Sequence, residues 1–195
     1  NEVQGKKRED ITHGVDIEKY EDTKNGIIFS IWDFAGHEEY HIAHSFFFSS
    51  SCVYLLLFDC SIEIEKIENE NKLLYWFHFI QSQLGKETNI ILIATKLDLL
   101  EKKTTKTISL SSLLLKINNK LKEIIKENKI ELKFREFNFK ENNNKEEKID
   151  LIFHPLKNKE QDLEKSGIKE ISKILIKEYD NIENSVSSTL SHKIV

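Results

Sequence analysis

The 195-residue sequence lacks methionine altogether and contains only two cysteines, six glycines and one proline. Two cysteines cannot form a disulfide framework. Cys52 and Cys60 lie in and just after an apolar run, which is typical of reduced core thiols in a cytosolic protein. Because the chain lacks even an initiating methionine, we expect it to be a piece of a longer polypeptide.

Neither sign of charge dominates, and long hydrophobic runs are missing. The 29 basic and 33 acidic residues leave a net charge of −4, which does not favour a nucleic-acid or membrane surface as partner. No apolar stretch approaches the roughly 18–20 residues that span a bilayer, and the start carries no signal-peptide pattern. These absences predict a cytoplasmic protein with neither a membrane span nor bound nucleic acid.

Short apolar runs alternate with longer amphipathic stretches along the chain. The runs predict strands at residues 26–33, 52–58 and 89–95, and a weaker strand at residues 149–154. The amphipathic stretches predict helices over residues 64–84, 110–125 and 168–182, and residues 132–139 are compatible with a further strand or hairpin. Strands separated by helices predict an α/β fold whose mostly parallel sheet carries helices on both faces. Ligands bind such sheets beyond the carboxyl ends of the strands.

The first predicted strand ends in residues with phosphate chemistry. Asp33 closes the strand, and Gly36 follows three residues later. An acidic residue at this place can hold Mg²⁺ through water, and a glycine lets a backbone N–H approach a γ-phosphate. A plain turn at Gly36 is the alternative interpretation of the same residues.

The strand at residues 89–95 ends in residues suited to a purine base. Thr95, Lys96 and Asp98 form a T-K-x-D pattern there. A carboxylate can accept two N–H groups from guanine, while the lysine stem can lie along the base and ribose. A surface Lys-Asp loop remains the alternative, since this short pattern also recurs by chance.

Two segments resemble the Roc domain of Roco proteins, a branch of the Ras-like small GTPases. Residues 32–40 (Trp-Asp-Phe-Ala-Gly-His-Glu-Glu-Tyr) and residues 54–59 (Tyr-Leu-Leu-Leu-Phe-Asp) carry the likeness, and residues 11–17 resemble the family's first switch. The resemblance implies a Ras-like P-loop GTPase fold that is truncated at its N-terminus. Four parts are then expected: a first-switch region (residues 1–25), a strand-helix core (26–100), a helix with a variable insertion (101–148), and a last strand with a C-terminal helix (149–195).

The resemblance also implies GTP or GDP with Mg²⁺ as ligands and a role for each matching residue. Thr12 and Asp33 would bind Mg²⁺, and the Gly36 amide would meet the γ-phosphate. The guanine-reading residues would be Thr95, Lys96 and Asp98.

Three features depart from the family pattern. The phosphate-loop motif G-x-x-x-x-G-K-[ST] is absent from the 195 residues. We expect that loop, and a central first strand, to lie before Asn1, and we expect the chain without them to bind GTP feebly or not at all. His37 stands where Ras-like proteins usually have glutamine, so it would either orient the attacking water or be a silent substitute. The last base-contacting loop falls at residues 154–158, which contain no serine.

The favoured prediction is a guanine-nucleotide switch module of a multidomain Roco-type signalling protein, with GTPase activity if the phosphate loop is present. The resemblance implies contacts with adjacent domains, a dimer through a following domain, and a parent chain that carries a Ser/Thr kinase. A nucleotide-free interaction scaffold is the second hypothesis. A zinc hydrolase is the third, because residues 37–41 (His-Glu-Glu-Tyr-His) match H-E-x-x-H with Glu38 as general base.

Overall fold

The described part of the chain divides between two compact units, which run from Asn1 to Ser49 and from Ser50 to Val195. The structure is a computed structural model. It describes residues 14–23, 26–35, 45–49, 52–85, 88–105, 107–140, 148–157 and 167–191.

An antiparallel hairpin makes up most of the described first unit. Strand β1 (Val15–Asp22) pairs with β2 (Ile27–Phe34) along its whole length. A short 3-10 turn at Ser45–Phe47 follows, and the ring of Phe47 lies 5.2 Å from that of Trp32. The sequence prediction contained β2 but not β1. Charged residues fill most of β1, so its apolar signal is weak, and its strand conformation depends on pairing with β2.

The second unit is built on parallel strands. These are β3 (Tyr54–Asp59), β4 (Asn89–Thr95), β5 (Lys133–Phe134), and β8 (His154–Pro155). β4 is central: β3 pairs along one side, and β5 and β8 pair with the two ends of the other side. β6 (Phe137–Lys140) and β7 (Lys148–Leu151) form a separate antiparallel hairpin.

Helices separate these strands. They are a 3-10 turn (Ile64–Lys66), α1 (Ile67–Asn71), α2 (Leu73–Leu84), α3 (Leu97–Glu101), α4 (Leu110–Glu127) and α5 (Ile168–Ser191). The single helix predicted over residues 64–84 is divided because Lys72 adopts a left-handed conformation with φ 51°. In the described residues, no helix combines the length and the apolar character that a membrane crossing needs.

The core of the second unit encloses β4 from both faces. Ile91 and Ile93 pack with Ile171 and Ile174 of α5. The alternate residues of β4, which point to the opposite face of the sheet, are buried as well. A strand covered on both faces is typical of a parallel sheet between helix layers. The predicted α/β class, with a parallel sheet flanked by helices, is therefore confirmed.

The weak fourth strand differs from its prediction. Residues 149–151 belong to the β6–β7 hairpin, and only His154–Pro155 joins the parallel sheet. Asn118 of α4 holds the chain between these two pairings, since its amide accepts from Ile152 N at 2.9 Å and donates to Asp150 O at 3.2 Å. Residues 132–139 contain β5 and most of β6. β6 pairs with β7, which lies beyond the charged loop, so the extra strand is present but its hairpin partner lies outside the predicted stretch.

Candidate functional site at the carboxyl edge of the sheet

Three parallel strands end at one edge of the sheet. Asp59 at the end of β3 lies opposite Thr95 at the end of β4. On the other side of β4, Leu156 N donates to Ala94 O at 2.8 Å, and Leu156 O accepts from Leu97 N at 3.1 Å. We call this region the carboxyl edge; it comprises Asp59, Cys60, Ser61, Thr95, Lys96, Leu97, Asp98 and Leu156.

Thr95 joins the ends of β3 and β4. Its hydroxyl donates to Phe58 O at 3.0 Å, and its carbonyl accepts from Cys60 N at 3.1 Å. The Cys60 thiol also lies 2.9 Å from Thr95 O. Burial raises the pKa of this thiol to about 12, and nearby Asp59 adds to the effect. The thiol is therefore neutral and donates to the carbonyl.

Lys96 reaches across this junction to a carboxylate. Its backbone is left-handed, with φ 61°, and its Nζ lies 2.6 Å from Asp59 Oδ2. The other Asp59 oxygen accepts from Ser61 N at 2.8 Å and from Ser61 Oγ at 2.6 Å. Burial acts to raise the pKa of Asp59, but the hydrogen bonds from Lys96 and Ser61 outweigh it and leave that pKa below its ordinary value.

Asp98 lies in the first turn of α3, directly after the edge. Its neighbour Leu97 is buried and is held by Leu156 O, so the backbone around Asp98 is anchored to β8. Its charge helps to raise the pKa of the Cys60 thiol, which directly follows β3. Thr95 is the last residue of β4, and Lys96 and Asp98 follow it; the guanine-binding roles of the three residues stay a prediction.

Sequence reasoning missed two residues that support the edge. The Asn71 side chain accepts from Asp59 N at 2.8 Å and donates to Asp59 O at 3.3 Å. Lys103 Nζ donates to Ser61 O. Neither residue belongs to a motif, and both lie far from their partners in sequence, so no local signal points to them.

The last predicted base-contacting loop begins at His154, whose side chain packs inside the protein. His154 is buried, its ring lies 4.9 Å from that of Phe137, and its Nε2 lies 3.2 Å from Gly167 O. Burial lowers its pKa, and the hydrogen bond to the Gly167 carbonyl opposes this only in part. Leu156 reaches the carboxyl edge, whereas Asn158 lies outside the described residues.

The predicted phosphate and metal residues belong to the first unit. Asp33 is exposed on β2, opposite Asp16 of β1. Thr12, Gly36, His37 and the rest of the H-E-x-x-H segment lie outside the described residues. Within the ranges that are described, no three His, Cys, Asp or Glu side chains are grouped to hold a metal ion. The meeting of Asp33 with Asp98 stays a prediction.

The carboxyl edge fits one part of a nucleotide better than the other. A lysine stem and a carboxylate that follow the same strand suit the flat face and the N–H groups of guanine. The phosphates need a cradle of backbone N–H groups, and the 195 residues lack the motif that forms one.

Comparisons with known proteins concern the first half of the chain. The family model described as "Ras of Complex, Roc, domain of DAPkinase" matches residues 2–98, a range that ends at Asp98. The chain is 35 % identical over 91 residues to the probable serine/threonine-protein kinase roco5 of Dictyostelium discoideum, covering 45 % of this chain and 3 % of that protein. It is 36 % identical over 83 residues to the probable serine/threonine-protein kinase pats1 of the same organism, covering 43 % and 2 %.

The family-model match includes the segments that carry the nucleotide motifs. Because the chain spans only about 3 % of the length of roco5, the likeness concerns one domain of a much larger protein. Together with the parallel sheet and its carboxyl edge, the match supports a single assignment. Residues 2–98 of this chain belong to the Roc domain family of Roco proteins.

Proposed function

We propose that the chain forms the guanine-recognition side of a GTP-binding switch module. The observation that carries the proposal is the placement of Lys96 and Asp98 beyond the end of β4, at the edge where α/β sheets bind ligands. Membership of residues 2–98 in the Roc family supports it independently.

Each residue of the T-K-x-D segment has its own part in the proposed recognition. Asp98 accepts two N–H groups from the edge of guanine. Lys96 lays its methylene stem along the base and ribose. Thr95 supports the segment that carries Lys96 and Asp98, because its hydroxyl and carbonyl join the end of β4 to β3.

The phosphate side of the proposed module depends on residues of the first unit. We assign Mg²⁺ coordination to Thr12 and Asp33 and the γ-phosphate contact to the Gly36 amide. Mg²⁺, when bound, supplies charge neutralisation on the phosphates. His37 is assigned the orientation of the attacking water in slow GTP hydrolysis, since it follows Gly36 directly.

A titration with a fluorescent GTP analogue tests the proposal. It is carried out on the 195-residue chain and on the longest chain that its gene encodes around it, with and without Mg²⁺. We expect saturable, Mg²⁺-dependent binding in the longer chain, and at least a tenfold weaker affinity after Asp98→Ala. ATP serves as the control nucleotide and should not compete.

A nucleotide-free interaction scaffold is the second candidate, favoured by the lack of a phosphate-loop motif in the 195 residues. Exposed aromatic side chains of the first unit, Trp32 and Phe46, also suit contacts with other proteins. Absence of GTP binding in every chain length tested would favour this function over the switch.

The wider roles belong to the proposal as well. In it, the module works in the cytoplasm as part of a signalling protein and contacts neighbouring domains of its own chain. A dimer forms through a domain that follows Roc, and the parent chain carries the kinase activity that the names of its relatives state.

A further inference from the structure

The ion pair between Asp59 and Lys96 joins a largely buried side chain to a more exposed one. The Asp59 side chain is 19 % exposed, whereas that of Lys96 is 46 % exposed. A lysine side chain has many rotamers, so an exposed lysine without a fixed partner samples many positions. Its distance of 2.6 Å from Asp59 Oδ2 selects one of them.

Asp59 is itself held by two residues, Ser61 and Asn71. Ser61 binds one carboxylate oxygen through its N–H and its hydroxyl. Asn71 binds the Asp59 backbone at both N–H and carbonyl, and α1 holds Asn71 through a 2.9 Å bond to Ile67 O. The carboxylate therefore offers a rigid anchor on β3 for a flexible side chain that starts on β4.

This arrangement directs the lysine stem along the sheet edge. Neighbouring strands lie about 4.8 Å apart, and the ammonium of Lys96 is bound at the end of the adjacent strand. The side chain therefore crosses from the end of β4 to the end of β3. Its apolar methylenes at this place can lie against the face of a purine ring.

We infer that Asp59 is the positioning residue that fixes Lys96 against the purine base, an inference that rests on the proposed guanine-nucleotide function. Asp59 contacts the lysine and not the nucleotide. Its effect is therefore exerted on the π-face contact, which all purines share, and not on the base edge that Asp98 reads.

A double-mutant cycle in the longest nucleotide-binding chain tests this inference. The affinities for GTP and for inosine triphosphate are measured in the wild type, Asp59→Asn, Lys96→Met and the double variant. We expect Asp59→Asn to weaken both nucleotides about tenfold when Lys96 is present, and less than about twofold in the Lys96→Met background. The ratio of the two affinities should stay unchanged, because inosine triphosphate differs only at the edge that Asp98 reads.

A matched pair and a milder variant complete the experiment. Glu123→Gln removes the same charge from the Lys120–Glu123 pair on α4, with atoms 3.1 Å apart, and should leave affinity unchanged. Ser61→Ala removes one anchor of Asp59 without changing charge, and should give a smaller loss that again depends on Lys96. This variant carries the test if Asp59→Asn does not fold.

Three results would overturn the inference, and they are distinguishable. Equal losses with and without Lys96 mean that Asp59 does not act through the lysine. A changed ratio of the two affinities means that Asp59→Asn disturbs Asp98, which is general damage to the edge. If the wild type binds neither nucleotide, the proposed function itself fails and the inference fails with it.

Discussion

Asp98 and Asp59 both lie at the carboxyl edge, but their different surroundings lead us to propose different roles for the two carboxylates. Asp59 is bound by Ser61 and Lys96, whereas Asp98 lies in the first turn of a short helix. In the proposed site Asp98 meets the N1–H and amino group of guanine, and its loss leaves both without an acceptor. A hydrogen bond to a charged group is worth about 1.5–3 kcal/mol.

The first prediction concerns base selectivity at Asp98. In the nucleotide-binding chain, Asp98→Asn should weaken GTP binding at least about tenfold and should favour xanthosine triphosphate. The reason is that an amide offers one donor and one acceptor, which match the N–H and carbonyl of xanthine. Competition titration of the two nucleotides measures the change.

The control for Asp98 is Asp180→Asn, which makes the same chemical change on an exposed position of α5. It should leave both affinities as they are. Unchanged GTP binding after Asp98→Asn would contradict the assigned role.

The second prediction concerns pH and His154. Burial holds the pKa of this histidine below its ordinary value of 6.5 in the folded chain. As the pH falls below 6.5, the unfolded state takes up a proton that the folded state does not bind, so the free energy of unfolding decreases. The loss amounts to about 1.4 kcal/mol per pH unit until the folded pKa is reached.

Urea unfolding at pH 7.5 and pH 5.5 measures this effect. His154→Gln keeps a donor near Gly167 O and removes the titrating group, so the variant should lose less stability than the wild type between these pH values. Equal losses of stability in both proteins would mean that the pKa of His154 is the same in the folded and the unfolded state.

At the scale of elements, two glycines at helix ends form a natural comparison. Gly167 precedes α5 with φ +91°, and Gly85 follows α2 with φ +90°. A Cβ on Gly167 would lie 2.7 Å from His154 Nε2 and 3.1 Å from Pro155 O, whereas a Cβ on Gly85 meets nothing within 4 Å. Both alanine variants must adopt a positive φ that L residues rarely adopt, but only Gly167→Ala also meets a neighbour.

The third prediction is that Gly167→Ala lowers the free energy of unfolding by at least about 1 kcal/mol more than Gly85→Ala does. Urea denaturation of the two variants measures the difference. Adding His154→Ala to both variants should reduce this difference, since the His154 ring that the new Cβ of residue 167 would meet is then removed. Equal effects of the two glycine variants would show that β8 and the start of α5 separate without cost.

The elements also differ in how well sequence predicts them. β4 and α4 have the predicted bounds to within two residues because their patterns are strong. β4 is apolar from its second to its sixth residue, and α4 is capped by Ser109, whose side chain accepts from Ser112 N at 3.1 Å. The helix predicted over residues 64–84 is divided at Lys72, which has a left-handed backbone. Lysine does not favour that conformation, so the sequence does not predict the break. Strand β1 is stabilised by its pairing with β2, which the pattern of residues within β1 does not report.

At the scale of the whole molecule, the outer strand of the described parallel sheet presents apolar side chains. Among the described residues, β3 pairs with β4 on one side, and Leu55 and Leu57 are 40 % and 56 % exposed. An edge strand with exposed leucines is a template for pairing with another chain. The surface therefore favours association of one chain with another.

The fourth prediction is that the 195-residue chain expressed alone self-associates as its concentration rises. Leu57→Lys should shift the equilibrium towards monomer, because a charge on an edge strand opposes pairing. Leu115→Lys on α4 is the matched control, since Leu115 is a single leucine that is 41 % exposed on a helix. Sedimentation velocity over a concentration series measures both, and a monomeric wild type at all concentrations would contradict the prediction.

Local chemistry alone determined several features of this protein. The sequence predicted the apolar run of β4, the amphipathic face of α4 and the T-K-x-D pattern. These features depend on residue type and on apolar periodicity, which can be recognised within a short stretch of the chain. Only the tertiary structure decided that β1 pairs with β2, that residues 148–155 divide between two sheets, and that Asn71 and Asp59 support Lys96. These contacts join different elements of the chain, and their energy arises only when strand order and register bring the partners together.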